Sequence, residues 1–486
     1  MKKFIILGSG TSGLISAAVI KRFWGDKVQV SLYYDASRKN IGVGESTTPT
    51  IFSFLDIMGI SIEDMIKDVG VTIKLGINFK NWIPGTEFFH GFHEVDFEGE
   101  SDDSSALYSI PNDCYNGGLM YDKATNTLPH EDFDRYSHAL HIDTQVFSDY
   151  IFNKLKDEIE FIDDIAESIN VSDGKIESID FKNSGNVTAD FYIDCSGFNS
   201  LLMKNLDTKW NDMSEYLPID RAIPQQVPHE FEEIPSYTVA EATDNGWIWQ
   251  IPMRKRYGTG YLYSSRFTSD EEAREKYNSW LMDKFGVELQ TDRVIKYKPG
   301  YYEDAWVGNC LAVGLSSGFV EPLESTGIYL IIKQISDFAT LNSNLNFLEY
   351  NRKRFNTINR VGYELIINFI CLHYNTNRED SEFWRHITNN KNEWVKDFEE
   401  KCKYEFLDVS SLGDSSVRFI WHLDSYIQVA HGLNMFDKDE ILKFIDSKQH
   451  KQQVMDFVKE HYDYTEFKKS ENKHISHKQI IESIDK

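Results

Sequence analysis

The sequence predicts an α/β protein, with mixed α and β elements, built on a dinucleotide-binding fold. A short apolar strand at residues 4–7 leads into the turn GSGTSG at 8–13, and an apolar helix follows at 14–23. A second strand, 28–34, ends at Asp35, 22 residues past Gly13, where a carboxylate can bind a ribose hydroxyl. The glycines let the backbone approach a pyrophosphate at the helix N-terminus. This order of elements indicates a dinucleotide site, and both FAD and NAD fit it.

A second strand-to-helix passage lies at residues 307–334. Apolar residues at 311–313 predict a buried strand, residues 314–318 a turn, and the apolar repeat that follows a helix. We expect this helix to open at Glu321, which places Pro322 in its first turn. Its amides and dipole can hold an anion such as a phosphate, a flavin edge or a halide. The alternative is that the acids merely suit a helix N-terminus and the glycines merely turn the chain.

Further stretches carry candidate residues. The loop IGVGEST at 41–47 either wraps over a cofactor or forms a plain surface turn. Residues 70–82 alternate as a strand, in which Lys74 would ordinarily be a solvated edge residue. The segment GWIWQIP at 246–252 places two tryptophans on one face of a strand, where they either pave a core or wall a cavity. The lysine-rich tail from about residue 468 is expected to fray.

Composition limits the function classes. A chain of 486 residues is too long for one simple core and predicts several modules. The net charge of −26 argues against a nucleic-acid surface and against attraction to an anionic membrane. Five cysteines without a CxxC pair predict reduced thiols and no metal site. No apolar run is long enough to cross a bilayer, and we expect a soluble, cytoplasmic protein.

Five motifs follow one another along the chain: GSGTSG at 8–13, GVGE at 42–45, DCSGF at 194–198, GWIWQIP at 246–252 and GFVEPLESTGIY at 318–329. Together they resemble the flavin-dependent tryptophan halogenase family, and weaker matches are DMSEYL at 212–217, LHY at 372–374 and FWR at 383–385. The WxWxIP element discriminates best, because the related flavin hydroxylases share the glycine loop without this tryptophan pair. The resemblance implies a glutathione-reductase/flavin-monooxygenase-like FAD-binding fold, with an inserted β-sheet substrate module and a helical C-terminal region.

The resemblance also implies a division of the chain into modules. A discontinuous FAD-binding module would comprise residues 1–82, 140–200 and 295–345. A β-rich inserted module, at 83–139 and 201–294, would cover the active site. The mostly helical residues 346–486 would lie on the substrate side.

Site residues follow from the matching motif positions. The resemblance makes Lys74 the essential lysine and Glu324 the second catalytic residue, and it gives the backbone amides of Thr326 and Gly327 the halide. Trp247, Trp249 and Ser325 would line the tunnel or the substrate wall. The residues expected to hold FAD, with Ile165 pairing its backbone with the adenine, are Gly8, Gly10, Thr11, Ser12, Gly13, Asp35, Gly42, Val43, Gly44, Glu45, Ile165, Leu315 and Ile328.

The implied activity is that of a two-component halogenase. FADH2 from a separate NAD(P)H flavin reductase, oxygen and chloride, bromide or iodide would yield hypohalous acid, which reaches Lys74 through a tunnel. Residues 416–427 read SVRFIWHLDSYI and lack the tyrosine pair and glutamate that hold the head group of free tryptophan in the family. We therefore expect a small electron-rich aromatic substrate, such as an indole or a phenol. The alternatives are a flavin-dependent hydroxylase and a non-catalytic FAD-binding protein. The sequence leaves open whether the protein forms a homo-oligomer.

Overall fold

The computed structural model describes residues 1–37, 44–92, 128–129, 138–405, 407, 409–413, 421–437, 439–440, 443, 452 and 474–485. The chain forms two compact units. Unit 1 comprises Met1–Val71, Leu140–Asp220 and Ile295–Glu364. Unit 2 comprises Thr72–Ala139, Arg221–Val294 and Leu365–Lys486. Each unit therefore gathers segments that are far apart in the sequence.

The strands of the described residues, in chain order, are β1 Lys2–Leu7, β2 Val28–Tyr34, β3 Glu45–Ser46, β4 Thr72–Lys74, β5 Gly76–Lys80, β6 Glu87–Gly91, β7 Leu128–Pro129, β8 Ala139–Ile142, β9 Glu160–Asp163, β10 Ala166–Ser172, β11 Lys175–Phe181, β12 Gly185–Val187, β13 Phe191–Asp194, β14 Trp210–Asp212, β15 Arg221–Pro228, β16 Tyr237–Ala242, β17 Gly246–Met253, β18 Arg256–Tyr263, β19 Ile295–Lys296, β20 Gly300–Tyr302, β21 Trp306–Val307, β22 Cys310–Ala312, β23 Gly318–Phe319 and β24 His474–Ile475. The helices are α1 Thr11–Trp24, α2 Ile51–Met58, α3 Ile62–Asp64, α4 Thr144–Leu155, α5 Asp270–Phe285, α6 Thr326–Leu341, α7 Glu349–His373, α8 Glu382–Asn389, α9 Glu393–Tyr404, α10 Leu423–Gly432 and α11 His477–Ile484. Among the described residues, no helix is long and apolar enough to cross a membrane.

Unit 1 is built on a largely parallel sheet. Its strands lie in the order β21, β22, β13, β1, β2 and β9, and only the β21–β22 pair among these is antiparallel. Phe4, Ile5, Ile6 and Leu7 of the central strand β1 are all buried, because a parallel sheet covered on both faces has no solvent side. Helices α1 and α6 pack against each other in this unit. The mixed α/β architecture predicted from the sequence is confirmed.

Unit 2 is built on a mainly antiparallel sheet. Strands β15, β18, β17, β16, β5 and β6 lie in this order, and only the β16–β5 pair among them is parallel. Strands β17 and β18 form a hairpin in which Met253 lies opposite Arg256. Every residue of β17 is buried, so this strand belongs to the core on both of its faces. The sheet carries the predicted tryptophan pair, and the lysine strand β4 directly precedes its strand β5 in the sequence.

The C-terminal tail differs from the prediction. We expected the polar residues after about residue 468 to fray, but residues 474–485 form strand β24 and helix α11. Strand β24 pairs with β7, with His474 opposite Pro129. The prediction was wrong for these residues because the segment is held by contacts within unit 2 rather than by its own propensity.

Candidate functional site

The glycine turn at residues 8–13 fits a dinucleotide for a steric reason. Gly8 has a φ of 115°, and its N–H donates to the carbonyl oxygen of Tyr33 at 2.8 Å. A Cβ atom at Gly8 would lie 2.3 Å from the carbonyl oxygen of Cys195, and one at Gly13 would lie 1.8 Å from the carbonyl oxygen of Gly8. Only glycine is tolerated at both positions, because each Cβ would meet backbone.

The N-terminus of α1 supplies the electrostatic part of this site. The helix begins at Thr11 after the N-cap Gly10, and its first turn, all of it described, contains no acidic residue. The first amides of a helix have no acceptor within the helix, and the dipole is positive there. The Ser12 hydroxyl donates to the carbonyl oxygen of Val313 at 2.9 Å, which ties this turn to the segment before Leu315. The residues present therefore fit the pyrophosphate of FAD.

Asp35 and Ile165 lie at adjacent ends of strands β2 and β9. Asp35 accepts hydrogen bonds from the amide of Ser37 at 3.0 Å and from its hydroxyl at 2.5 Å. Both backbone groups of Ile165 have partners, since its N–H donates to Asp164 Oδ1 at 2.9 Å and its carbonyl oxygen accepts from the Lys182 amide at 3.0 Å. Its side chain is 40% exposed. The pairing of Ile165 with adenine stays a prediction, and it would have to share these groups.

The loop after β2 is described from Gly44 onward, and the predicted FAD residues Gly42 and Val43 lie outside the described residues. Gly44 is buried. Glu45 is half-buried and lies opposite Ile142 in the β3–β8 pair. Desolvation by burial raises the pKa of its carboxyl to about 7. This carboxyl therefore changes charge near neutral pH.

A buried glutamine fixes the turn that carries Leu315. The amide of Gly314 donates to Gln334 Oε1 at 2.8 Å, and Gln334 Nε2 donates to Ser317 Oγ at 3.0 Å and to Asn359 Oδ1 at 2.9 Å. Gln334 lies on α6, and it satisfies both ends of the turn at once. Gln334 was not predicted from the sequence, because a single glutamine in an apolar helix carries no motif.

Helix α6 begins later than predicted. It starts at Thr326 and not at Glu321, because Ser325 adopts a left-handed conformation with a φ of 61° and cannot continue a helix backwards. Pro322 therefore precedes the helix. The Ser325 hydroxyl donates to Ser46 Oγ at 3.0 Å, which brings this segment to the loop at Glu45. Thr326 and Gly327 become the first two helical residues, where free helix amides are expected.

Three predicted motifs of unit 1 are thus brought together. The turn at 8–13, the loop at 44–46 and the segment 313–327 are linked by the hydrogen bonds of Ser12 and Ser325. Glu324 and Ile328 are buried, and Leu315 is half-buried. The two predicted catalytic side chains belong to different units, Glu324 to unit 1 and Lys74 to unit 2.

Lys74 ends strand β4 and is fully buried, with 0% of its surface exposed. Its Nζ lies 4.6 Å from the centroid of the Phe92 ring, within the range of a cation–π interaction. The ordinary reading of a solvated edge lysine is therefore wrong. The Thr72 hydroxyl donates to the carbonyl oxygen of Pro252 at 2.8 Å, which joins this strand to the WxWxIP segment.

The tryptophan pair lies in the core of the unit 2 sheet. Trp247 lies opposite Leu262 and Trp249 opposite Gly260, and both indoles are buried. A Cβ atom at Gly260 would lie 2.1 Å from Trp249 Cη2. The Trp249 ring therefore lies over Gly260 and occupies the space that a side chain at residue 260 would need.

Two of the weaker motif matches, LHY and FWR, contain residues that pack around Trp82, two residues past β5. Its Nε1 donates to the carbonyl oxygen of Ala240 at 3.0 Å, and its ring centroid lies 5.0 Å from that of Tyr374 and 5.9 Å from that of Trp384. Trp384 Nε1 donates to the carbonyl oxygen of Thr243 at 2.8 Å. These aromatic residues hold the lysine-bearing segment against the strand that leads to the tryptophan pair.

The sequence does not predict that two buried histidines of unit 2 lie together. Ring nitrogens of His90, on β6, and His373, on α7, lie within 4.8 Å of each other. His373 Nδ1 lies 2.7 Å from the carbonyl oxygen of Phe369, so this nitrogen carries the hydrogen. The Phe369 ring stands edge-on to both imidazoles. The two histidines are 283 positions apart in the printed sequence, and only the fold pairs them.

Comparisons with known proteins point to one family. A sequence model described as tryptophan halogenase matches residues 3–446. A tryptophan 7-halogenase of Kutzneria sp. (strain 744) is 30% identical over 420 residues, 79% of this chain and 78% of that protein. A tryptophan 6-halogenase of Streptomyces toxytricini is 28% identical over 420 residues, 79% of this chain and 80% of that protein.

A solved structure supports the same assignment of the fold. The structure of a flavin-dependent halogenase from Brevundimonas sp. BAL3 is similar with a TM-score of 0.84 and 26% identity, over 100% of this chain and 99% of that chain. Flavin-dependent halogenases have the FAD-binding fold. The predicted fold class is confirmed by this similarity.

Proposed function

Because the chain belongs to the tryptophan halogenase family of flavin-dependent enzymes, we propose that it is a two-component halogenase in which Lys74 directs the halogen. The family halogenates aromatic compounds, and the proposal adds the residues, the halide and the kind of substrate. A separate NAD(P)H flavin reductase would supply FADH2. A cytoplasmic location stays a prediction from the sequence.

One observation carries the proposal, and it is the burial of Lys74. An amine that is 0% exposed loses its hydration, and moving a charged group out of water is costly. Its Nζ faces the ring of Phe92, so it lies beside an aromatic surface and out of bulk water. A reactive halogen species held at this amine would be protected from hydrolysis and from diffusion.

The residues of the glycine turn and of α1 would hold FAD, with Gly8 and Gly13 leaving room and the first amides of α1 facing the pyrophosphate. Reduced FAD, when bound, supplies together with oxygen the oxidising equivalents that turn a halide into hypohalous acid. Ser12 and Gln334 hold the turn of Leu315 in place. Trp247 and Trp249 would keep the arene away from the flavin.

Thr326 and Gly327 would bind the halide through their backbone amides. They are the first two residues of α6, where the helix dipole attracts an anion. Backbone amides impose no strict size limit on a spherical anion, so we propose that chloride, bromide and iodide all bind. Ser325 would line the wall beside this site.

The chemical step is an electrophilic substitution in which an arene and hypohalous acid give a haloarene and water. The carbon–halogen bond forms as the oxygen–halogen bond breaks, and the ring proton leaves. Lys74 would hold the acid through its ammonium group or carry the halogen as a haloamine. Glu324 would polarise the reagent or accept the ring proton. Delivery of the acid through a tunnel stays a prediction.

The substrate we propose is an indole, a phenol or another small electron-rich aromatic. The relatives compared above act on tryptophan according to their names. Residues 416–427 of this chain carry no pair of adjacent tyrosines and no glutamate, which are the groups expected for the head group of the free amino acid. An uncharged aromatic places no such demand on the protein.

The test compares Lys74→Ala with a matched control, Lys80→Ala. Lys80 ends the neighbouring strand β5, is partly exposed and pairs with Glu87 at 3.5 Å. With FAD, reductase and each halide in turn, halogenated product from a panel of indoles and phenols is measured by mass spectrometry. We expect Lys74→Ala to lose product by a factor of about 100 or more, while Lys80→Ala keeps it. Equal product from wild type and Lys74→Ala would remove the proposal, and oxygenated product without halide would favour a hydroxylase.

A further inference from the structure

The C-terminal helix of the chain reaches the strand that carries Lys74. His477, the first residue of α11, is 1% exposed. Its Nε2 accepts a hydrogen bond from the backbone amide of Ile73 at 3.0 Å, across 404 positions of sequence. Ile73 directly precedes Lys74. The histidine also lies beyond residues 3–446, the part of the chain that the family model matches.

The hydrogen bonds of the two ring nitrogens define the tautomer of His477. An amide can donate only to a nitrogen with a free lone pair, so Nε2 carries no hydrogen and the hydrogen of the neutral ring is on Nδ1. Nδ1 lies 3.0 Å from the carbonyl oxygen of Ile234 and 2.9 Å from Ser236 Oγ. Burial lowers the pKa of His477 to about 4, which agrees with a neutral ring. A protonated ring would turn a hydrogen towards the Ile73 amide.

The contacts of His477 belong to a network that surrounds Lys74. The amide of Leu75 donates to the carbonyl oxygen of Ser236 at 2.7 Å, and the amide of Phe92 donates to the carbonyl oxygen of Leu75 at 3.1 Å. Both backbone neighbours of Lys74 are therefore held, one by His477 and one by Ser236. The same network positions Phe92, whose ring faces the Lys74 amine.

Other contacts anchor α11 without touching the lysine strand. Glu233 accepts hydrogen bonds from the Ser476 hydroxyl and, at 3.1 Å, from the Lys478 amide. At the other end, Arg254 and Asp485 form an ion pair at 2.7 Å. Helix docking and the contact to Ile73 can therefore be perturbed separately.

On this basis, and resting on the function proposed above, we propose that His477 is a positioning residue that aims the Lys74 amine by holding the Ile73 backbone. Loss of the His477 Nε2 acceptor would leave the oxidation of FADH2 and of the halide unchanged, but the halogen would no longer be directed to the substrate. The quantity that changes is the yield of halogenated product per FADH2 oxidised. The rate of FADH2 oxidation would stay unchanged.

The test uses two side chains of similar size on the full-length enzyme with FAD. His477→Gln can place an acceptor at the position of Nε2, and His477→Asn reaches only the position of Nδ1. Asp485→Asn is the control, because it weakens the docking of α11 away from Ile73. The readouts are hydrogen–deuterium exchange of the Ile73 amide and product per FADH2 oxidised, and Lys74→Ala runs alongside.

We expect His477→Asn to speed exchange of the Ile73 amide about tenfold and to lower the product yield about tenfold. His477→Gln and Asp485→Asn should stay close to wild type in both readouts. An unchanged Ile73 amide in His477→Asn, or an equal loss in His477→Gln or Asp485→Asn, would overturn the positioning role while Lys74→Ala still tests the proposed function. Equal product from wild type and Lys74→Ala would remove both proposals.

Discussion

Replacement of Gly13 by alanine tests the steric argument for the dinucleotide turn. The new Cβ would lie 1.8 Å from the carbonyl oxygen of Gly8, where ordinary contacts begin at 3.4 Å, so the two segments must part by roughly 1.6 Å. The atoms nearest to the new Cβ are the backbone carbonyl oxygen and carbon of Gly8, so no flexible side chain can move aside. Overpacking of this kind costs about 3 kcal/mol, the upper end of its usual range.

This energy lowers the affinity for FAD, because the cofactor needs the closed turn, in which residues 8–13 pack as they do in the wild type. If the closed turn is reached only after about 3 kcal/mol, the apparent affinity for FAD falls by a factor of about 100 or more. The measurement is an equilibrium titration of FAD fluorescence, with circular dichroism to show that the variant is folded. We expect saturation of wild type at concentrations where Gly13→Ala binds almost nothing.

Gly362→Ala is the matched control for this experiment. Gly362 lies inside α7, and no described atom lies within 4 Å of the position its Cβ would take. Alanine is favoured over glycine within a helix by up to about 1 kcal/mol, so this variant should bind FAD normally and unfold at higher denaturant. If folded Gly13→Ala binds FAD within about threefold of wild type, the steric reasoning is refuted.

Three further outcomes follow from the described contacts. The free energy of unfolding should fall as the pH falls from 6.5 to about 4, because over this window the unfolded chain binds a proton at His477 and the folded chain does not. The expected loss is about 3 kcal/mol, and urea titrations at several pH values measure it. Parallel curves of unfolding free energy against pH for wild type and His477→Gln would contradict it. Burial raises the pKa of Cys195 to about 12 and the pKa of Cys310 well above its ordinary value, so neither thiol should react with a thiol reagent at neutral pH. Mass spectrometry of the labelled protein checks this, and rapid labelling of the native protein would be inconsistent with it. Gly260→Ala should displace the Trp249 ring and cost about 1–3 kcal/mol, which tryptophan fluorescence and denaturant titration report, and an unchanged emission spectrum would speak against the contact.

The glycine turn was predictable because its geometry is local. Six consecutive residues, the last three of them in the first turn of α1, set the approach of backbone to ligand, and the structure places Gly8 and Gly13 where a Cβ would clash. The order of the motifs was also sufficient for the family, and the match over residues 3–446 confirms the resemblance. The roles of the individual site residues stay predictions.

The start of α6 was not predictable from its own residues. Proline and acids suit a first turn, so the segment EPLEST read as helix. The left-handed Ser325 instead makes the helix begin at Thr326, and its hydroxyl donates a hydrogen bond to Ser46, 279 positions earlier. A contact at that distance leaves no local trace in the sequence.

The sequence by itself determined the α/β class, the dinucleotide turn and the family, because these depend on hydrophobic periodicity and on backbone geometry within a few residues. Only the tertiary structure decided that Lys74 is buried against Phe92, that Gln334 holds the turn of Leu315, and that His477 bonds to Ile73. Burial and hydrogen bonding join residues that are up to 404 positions apart. Such contacts exist only after the chain has folded.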